Sequence, residues 1–187
     1  MRLRPSSWFD CKDNEGDLVS PEELLGNYEL SVGRGANLLI NAGPNNQGLL
    51  HEADVRVMKA FGQLLRQVYG TPLPYGDVRE ENGLYVIEYA AHHAGWGYSP
   101  DVPVMNRLVI REDMTNGQRV KRFRLWARLR VCKTDRILLY EGCTIGHKHI
   151  AVLPMLAASR IELEILESDG TPCITAMTAH CYRTGRC

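Results

Sequence analysis

The sequence lacks an excess of either charge. Its 22 basic and 22 acidic side chains cancel. A nucleic-acid or membrane-surface partner needs a basic face, so composition argues for neither. A long apolar run is also missing. No stretch approaches the roughly 20 residues that span a bilayer, so membrane insertion is not expected. The N-terminal MRLRPSSWFD has no apolar h-region, and so does not read as a signal peptide. Metal and disulfide signatures are thin. Six cysteines stand at 11, 132, 143, 173, 181 and 187. No two form a CxxC pair, and no Cys/His group has zinc spacing. Small, buried or half-buried thiols are the preferred reading. Cys132 and Cys143 flank a predicted turn between two strands and are the best candidates for a bridge. Cofactors expected: none.

What is present is ordinary for a globular chain. The 187 residues are 44% hydrophobic, enough for one good core or two small ones. The texture changes along the chain. Residues 1–69 are helical and α/β in pattern, 70–77 read as a linker rich in Gly and Pro, and 78–187 read as β. Ser20-Pro21-Glu22-Glu23 combines an N-cap serine, a proline at the first helical position and Glu three residues after the cap, a strong helix start. Leu24, Leu25, Tyr28 and Val32 follow at helical spacing. Ala36–Asn41 is a short apolar run between turn residues, as expected of a buried parallel strand. Gly43–Gly48 is a loop. Val55, Met58, Phe61, Leu64, Leu65 and Val68 then mark a second amphipathic helix from about Glu52.

The later part offers candidate strands at Leu84–Ala90, Met105–Glu112, Arg119–Leu129, Arg136–Glu141, His149–Leu153, Arg160–Leu166 and Cys173–His180. Phe123, Leu125 and Ala127 alternate with Arg122, Arg124, Trp126 and Arg128, the period of a half-buried strand. Asn116-Gly117 and Asp169-Gly170 are turn dipeptides. Regularly spaced short strands predict an antiparallel β-sandwich.

Several motifs carry a resemblance. The run SPEELLGNYELSVGRGANLLINAGPNNQGLLHEADVRVMKAFGQLLR resembles the segment that closes the catalytic barrel of the α-L-fucosidases, glycoside hydrolase family 29. RPSSWF resembles that family's Arg-Pro-x-Trp-Phe stretch, with one extra Ser. NRLVIREDMTNGQRVKRFRLWAR and LLYEGCTIGHKHIAVLPMLAASRIELEI resemble the sandwich that follows the barrel. The implied fold is α+β in two parts, a terminal βα segment of a (β/α)8-type barrel followed by a galactose-binding, discoidin-like sandwich. The stretch from Tyr75 to Val104 is shorter than the family's sandwich start and lacks its Asp-Gly-Asp and Thr-Tyr-Trp pattern.

The resemblance implies a metal-free retaining hydrolase acting on a fucosylated glycan as part of the full-length enzyme. Such enzymes use two carboxyl groups about 5 Å apart. No Asp or Glu here matches the family's nucleophile or acid/base, so the expectation is that this chain alone is inactive. Asp10, Asp13, Glu15 and Asp17 read as a solvated loop, and Glu22 and Glu23 as helix-start carboxylates. Two residues remain as substrate contacts. Trp8 lies in a stretch that runs near the family's active-site face, where its ring would pack on fucose; a Trp packed in the barrel wall is the equal alternative. Asn41 ends the predicted strand, where barrel strands face the active site; the preferred reading is that Asn41 and Asn37 bond the local turn.

Other features read as structural. His147 and His149 would share a strand face, but no third metal ligand has suitable spacing. The loop AHHAGWGY, with His92, His93, Trp96 and Tyr98, either stacks on sugars or is buried. The run Arg119-Lys121-Arg122-Arg124 reads as a strand's solvent face. GRGAN precedes the strand, so it is not a phosphate loop. The competing reading of the whole is a non-catalytic carbohydrate-binding β-sandwich module, and a third is a structural remnant.

Overall fold

The computed structural model describes residues 1–6, 8–9, 17–89, 102–129 and 136–183. The chain forms two compact units. One comprises Met1–Val32 and Ala36–Gly70, the other Gly33–Gly35 and Thr71–Cys187.

The first unit is built on two helices, α1 (Pro21–Ser31) and α2 (Glu52–Tyr69). The Ser20 hydroxyl accepts from the Glu23 amide at 3.1 Å, so the cap expected from sequence is formed. Glu22 and Glu23 occupy the positive end of the helix. The helices meet through aromatic edges. Tyr28 lies 6.4 Å from the Phe61 ring and 6.1 Å from the Tyr69 ring. The Tyr69 hydroxyl donates to the buried Glu29 carboxylate at 2.6 Å.

Residues 36–41 correct an expectation. They form no buried strand. Only Asn41 bridges, in parallel, with Arg2. The Leu3 amide donates to the Asn41 carbonyl at 2.9 Å, and the Asn41 amide to the Met1 carbonyl at 3.0 Å. Leu39 is 79% exposed. A buried parallel strand needs neighbours on both edges and cover on both faces. Among the described residues this segment has one neighbour, and one bridge does not make a strand.

Among the described residues, the second unit is a seven-stranded antiparallel sheet. Its strands are β1 (Arg79–Glu81), β2 (Leu84–Glu88), β3 (Val104–Glu112), β4 (Val120–Leu129), β5 (Arg136–Cys143), β6 (His149–Ser168) and β7 (Ile174–His180). Strand β6 is the hub. Its first half pairs with β3, which in turn pairs with β7. Its second half pairs with β2 on one edge and β4 on the other, and β1 and β5 extend those edges. Sequence patterning expects two strands where the 20-residue β6 runs. Pro154 explains the difference. It falls where the register with β3 shifts between Met105 and Arg107, and an irregularity of that kind is where a strand tolerates proline.

The two halves of this curled sheet close on one core. Leu108 and Ile110 of β3, Ala151 and Leu153 of β6 and Met177 of β7 pack in the same cluster as Ile87, Phe123, Leu125, Ile161 and Leu163. Residues read as a linker also lie on the sheet. The Leu73 amide donates to the Ala179 carbonyl, and the Gly76 amide to the Glu88 carbonyl, both at 2.8 Å. The strand β1, absent from the sequence reading, turns into β2 through Asn82 and Gly83, whose φ values are 51° and 78°. That pair of left-handed residues is the type I′ hairpin signal.

Candidate functional site

The two residues proposed as substrate contacts are joined in the structure. The Asn41 side-chain amide donates to the Trp8 carbonyl at 2.9 Å. Asn41 therefore bonds across 33 residues of sequence, not within its own turn. Its backbone is fixed by the bridge to Arg2, so it holds the peptide at Trp8 in place. The Trp8 ring is 57% exposed, and the Arg2 guanidinium lies 5.6 Å from its centroid. This is a cation–π pair over an open aromatic face. Phe9 beside it is 80% exposed.

An ion pair the sequence did not signal anchors the same segment. Arg4 and Asp54 meet at 2.6 Å, with side chains 7% and 1% exposed. Asp54 lies in the first turn of an amphipathic helix, where a carboxylate reads as a macrodipole partner. Nothing in the spacing marks it as buried. Its second oxygen has no hydrogen-bond partner among the described residues. The Ser6 amide donates to Asp17 at 3.0 Å, and hydrogen bonds from Ser6 hold that carboxyl below its ordinary range. Asp17 thus ties the loop and is not a spare acid. Asp10, Asp13 and Glu15 lie outside the described residues.

In the second unit, His147 and His149 part company. His147 sits exposed in the turn before β6, while His149 is buried at its start. They share no strand face, because the strand begins only at His149. The His149 Nδ1 lies 3.0 Å from the Thr144 carbonyl, and its Nε2 3.2 Å from the Tyr140 hydroxyl. A carbonyl only accepts, so Nδ1 carries the proton. Burial, with Arg34 nearby, lowers the pKa to about 4 against a smaller opposing effect of the Thr144 bond. The ring is neutral, and Nε2 accepts from Tyr140. Thr144 itself has φ 55°, a conformation rare outside glycine.

The outer face of β1, β2, β6 and β4 carries a ladder of charge. The Glu162 side chain is fully buried beneath Arg128 at 2.8 Å, Arg160 at 2.7 Å and Arg136 at 3.4 Å. Burial opposes its ionisation, yet the bonds from Arg128 and Arg160 outweigh it and hold its pKa below the ordinary value. Arg160 also reaches Glu81 and Glu88 at 2.7 and 2.6 Å. The basic run of β4 is therefore paired and not merely solvated: Arg122 and Arg124 both bond Glu141 at 2.8 Å. Cys143 stands opposite Arg122, at the end of β5 away from Arg136. Its proposed partner Cys132 lies outside the described residues, as does the loop AHHAGWGY.

Comparisons with known proteins agree with the motifs. No family model matches the chain. It is 25% identical over 172 residues to Alpha-L-fucosidase 1 of Arabidopsis thaliana, covering 80% of this chain and 33% of that protein. A glycoside hydrolase 29 family member from an unknown rumen bacterium superposes with a TM-score of 0.84 at 24% identity, covering 99% of this chain and 32% of that one. A glycoside hydrolase 29 fucosidase of Ruminococcus gnavus, solved in complex with fucose, gives 0.79 at 23% identity, covering 98% of this chain and 40% of that one. The chain thus spans about a third of the length of the curated relatives it matches. The chain is thus similar in sequence to the α-L-fucosidases and in fold to glycoside hydrolase family 29 structures, the match being to their C-terminal portion.

Proposed function

We propose that this chain serves the hydrolysis of α-L-fucosides without carrying the catalytic carboxylates. Its first unit supplies a wall of the sugar pocket, and its second unit is the attached β-domain. Trp8 offers an exposed aromatic face to the apolar side and methyl group of fucose. Asn41 positions that ring through the Trp8 carbonyl. The observation that carries this reading is the Asn41–Trp8 hydrogen bond, in a segment whose motifs match the fucosidases. The retaining reaction needs a nucleophile and an acid/base about 5 Å apart. The buried carboxylates of the first unit are already engaged, Asp54 by Arg4 and Glu29 by Tyr69. Neither is available as half of such a pair.

Two measurements test the proposal. The purified chain is incubated with an aryl α-L-fucoside, and no release of the aryl group is expected. Robust turnover would refute the non-catalytic assignment. Fucose titrated into isotope-labelled protein is expected to shift the Trp8 indole resonance. A shift that survives unchanged in Trp8→Ala at other sites, with none at the Asn41 amide, would remove these two residues from the sugar's surroundings.

A further inference from the structure

A cleft of about 400 Å³ opens in the second unit between Arg34, Arg122, Tyr140, Glu141, Gly142 and Cys143. Its charge is unbalanced. Glu141 is the single carboxylate in the lining, and both its oxygens are taken, one by Arg122 and one by Arg124. Arg34 has no carboxylate partner among the described residues. Its place is fixed, because Arg34 forms an antiparallel bridge with His149 and Gly33 accepts from the Ile150 amide at 2.8 Å. Two guanidiniums thus face one fully used carboxylate. Guanidinium groups bind planar and tetrahedral oxyanions through paired N–H donors.

The opposite kind of group sits beside them. The Thr144 carbonyl takes the Nδ1 proton of His149, so the Tyr140 hydroxyl spends its hydrogen on Nε2. Its oxygen lone pairs are left as acceptors, on a residue that lines the cleft. Sulfate has no hydrogen to give such an acceptor, whereas a sugar hydroxyl does. Gly142 leaves room for the rings beside the cleft. A Cβ there would stand 2.6 Å from the Tyr140 ring and 2.7 Å from Phe123. The volume falls within the ~300–1,000 Å³ of small-molecule sites and exceeds what a bare anion fills.

We propose that this cleft binds an acidic sugar, with Arg34 and Arg122 holding its sulfate or carboxylate and the Tyr140 oxygen accepting from a neighbouring hydroxyl. The proposal does not rest on the fucoside reading. Its residues belong to the second unit and its test sugars contain no fucose, so the two fail separately.

The test titrates the whole chain at low ionic strength with galacturonate, galactose 6-sulfate, neutral galactose and inorganic sulfate. Binding is read by calorimetry and by protection of the exposed Cys143 thiol from alkylation, located by peptide mass. Galacturonate or galactose 6-sulfate is expected to bind at least tenfold more tightly than galactose or sulfate, and to slow Cys143 labelling. Arg34→Gln is expected to weaken that binding about tenfold, and Arg34→Lys to recover part of it, with circular dichroism unchanged in both. Equal binding of sulfate would reduce the cleft to a free-anion site and overturn the sugar assignment. Equal binding of neutral galactose, or no effect of Arg34→Gln, would overturn the role of the cations.

Discussion

His149 should make the second unit lose stability well above the pH at which carboxylates protonate. The ring is 2% exposed. It is stacked edge-on against Phe123 at 5.0 Å and Tyr140 at 5.5 Å. Its pKa falls from 6.5 to about 4. Between those values the unfolded chain binds a proton that the folded one refuses. Stability therefore rises with pH across the window, is fully present above 6.5, and falls as the pH drops toward 4. Each pH unit is worth about 1.4 kcal/mol, so about 2 kcal/mol is lost by pH 5 and about 3 kcal/mol by pH 4. The depressed carboxylates, such as Glu162 and Glu141, lose their contribution only below their ordinary value of 4.5. Among these shifted groups, the interval from pH 6.5 to 5 is that of His149. Urea unfolding at pH 7, 6 and 5, followed by far-ultraviolet circular dichroism, measures the slope. His149→Asn is expected to flatten it whatever it costs in absolute stability. A flat wild-type profile from pH 7 to 5, or the same slope in the variant, would refute the burial argument.

Three further substitutions follow from the geometry. Glu162→Ala leaves Arg128, Arg136 and Arg160 facing one another; since two of these are partly exposed, a loss of about 2–3 kcal/mol is expected in chemical denaturation. Gly142→Ala drives a methyl into Phe123 and Tyr140 and should lower the thermal midpoint, at a cost of about 1–3 kcal/mol. Ser20→Ala removes the acceptor for the Glu23 amide, with an expected loss of about 1 kcal/mol in helix stability, read by amide hydrogen exchange along α1.

Local chemistry was legible in the sequence where local chemistry decides the outcome. The Ser20 cap, the period of α2 and the alternation around Phe123 each settle their element within a single short stretch. Strand β1 escaped because Arg-Glu-Glu has no apolar member, although Asn82-Gly83 announced its turn. β6 was divided in two because Pro154 reads as a break, and only the register with β3 turns that break into an irregularity. Residues 36–41 read as a buried strand because an apolar run carries no record of how many neighbours it has. The site shows the same limit. Resemblance nominated Trp8 and Asn41, but the bond between them uses a main-chain carbonyl, which has no letter in the sequence. Arg34, Arg122 and Tyr140 lie far apart in the chain and meet only because the β4–β5 pair and the start of β6 converge.

The central place of β6 has a consequence for how the second unit acquires its structure. Leu84 pairs with Glu164, and Val120 with Ser168. Leu84 and Val120 therefore wait for partners synthesised 80 and 48 residues later. Before then only the β1–β2 and β4–β5 hairpins have their neighbours, and an isolated hairpin is marginal in water. Such long-range pairing gives a high contact order and slow folding. On the ribosome this unit stays open until β6 has emerged, its half-built edges exposed. Closure then occurs around one strand, so damage at Ile161 or Leu163 should abolish the unit as a whole and not merely loosen one side of it.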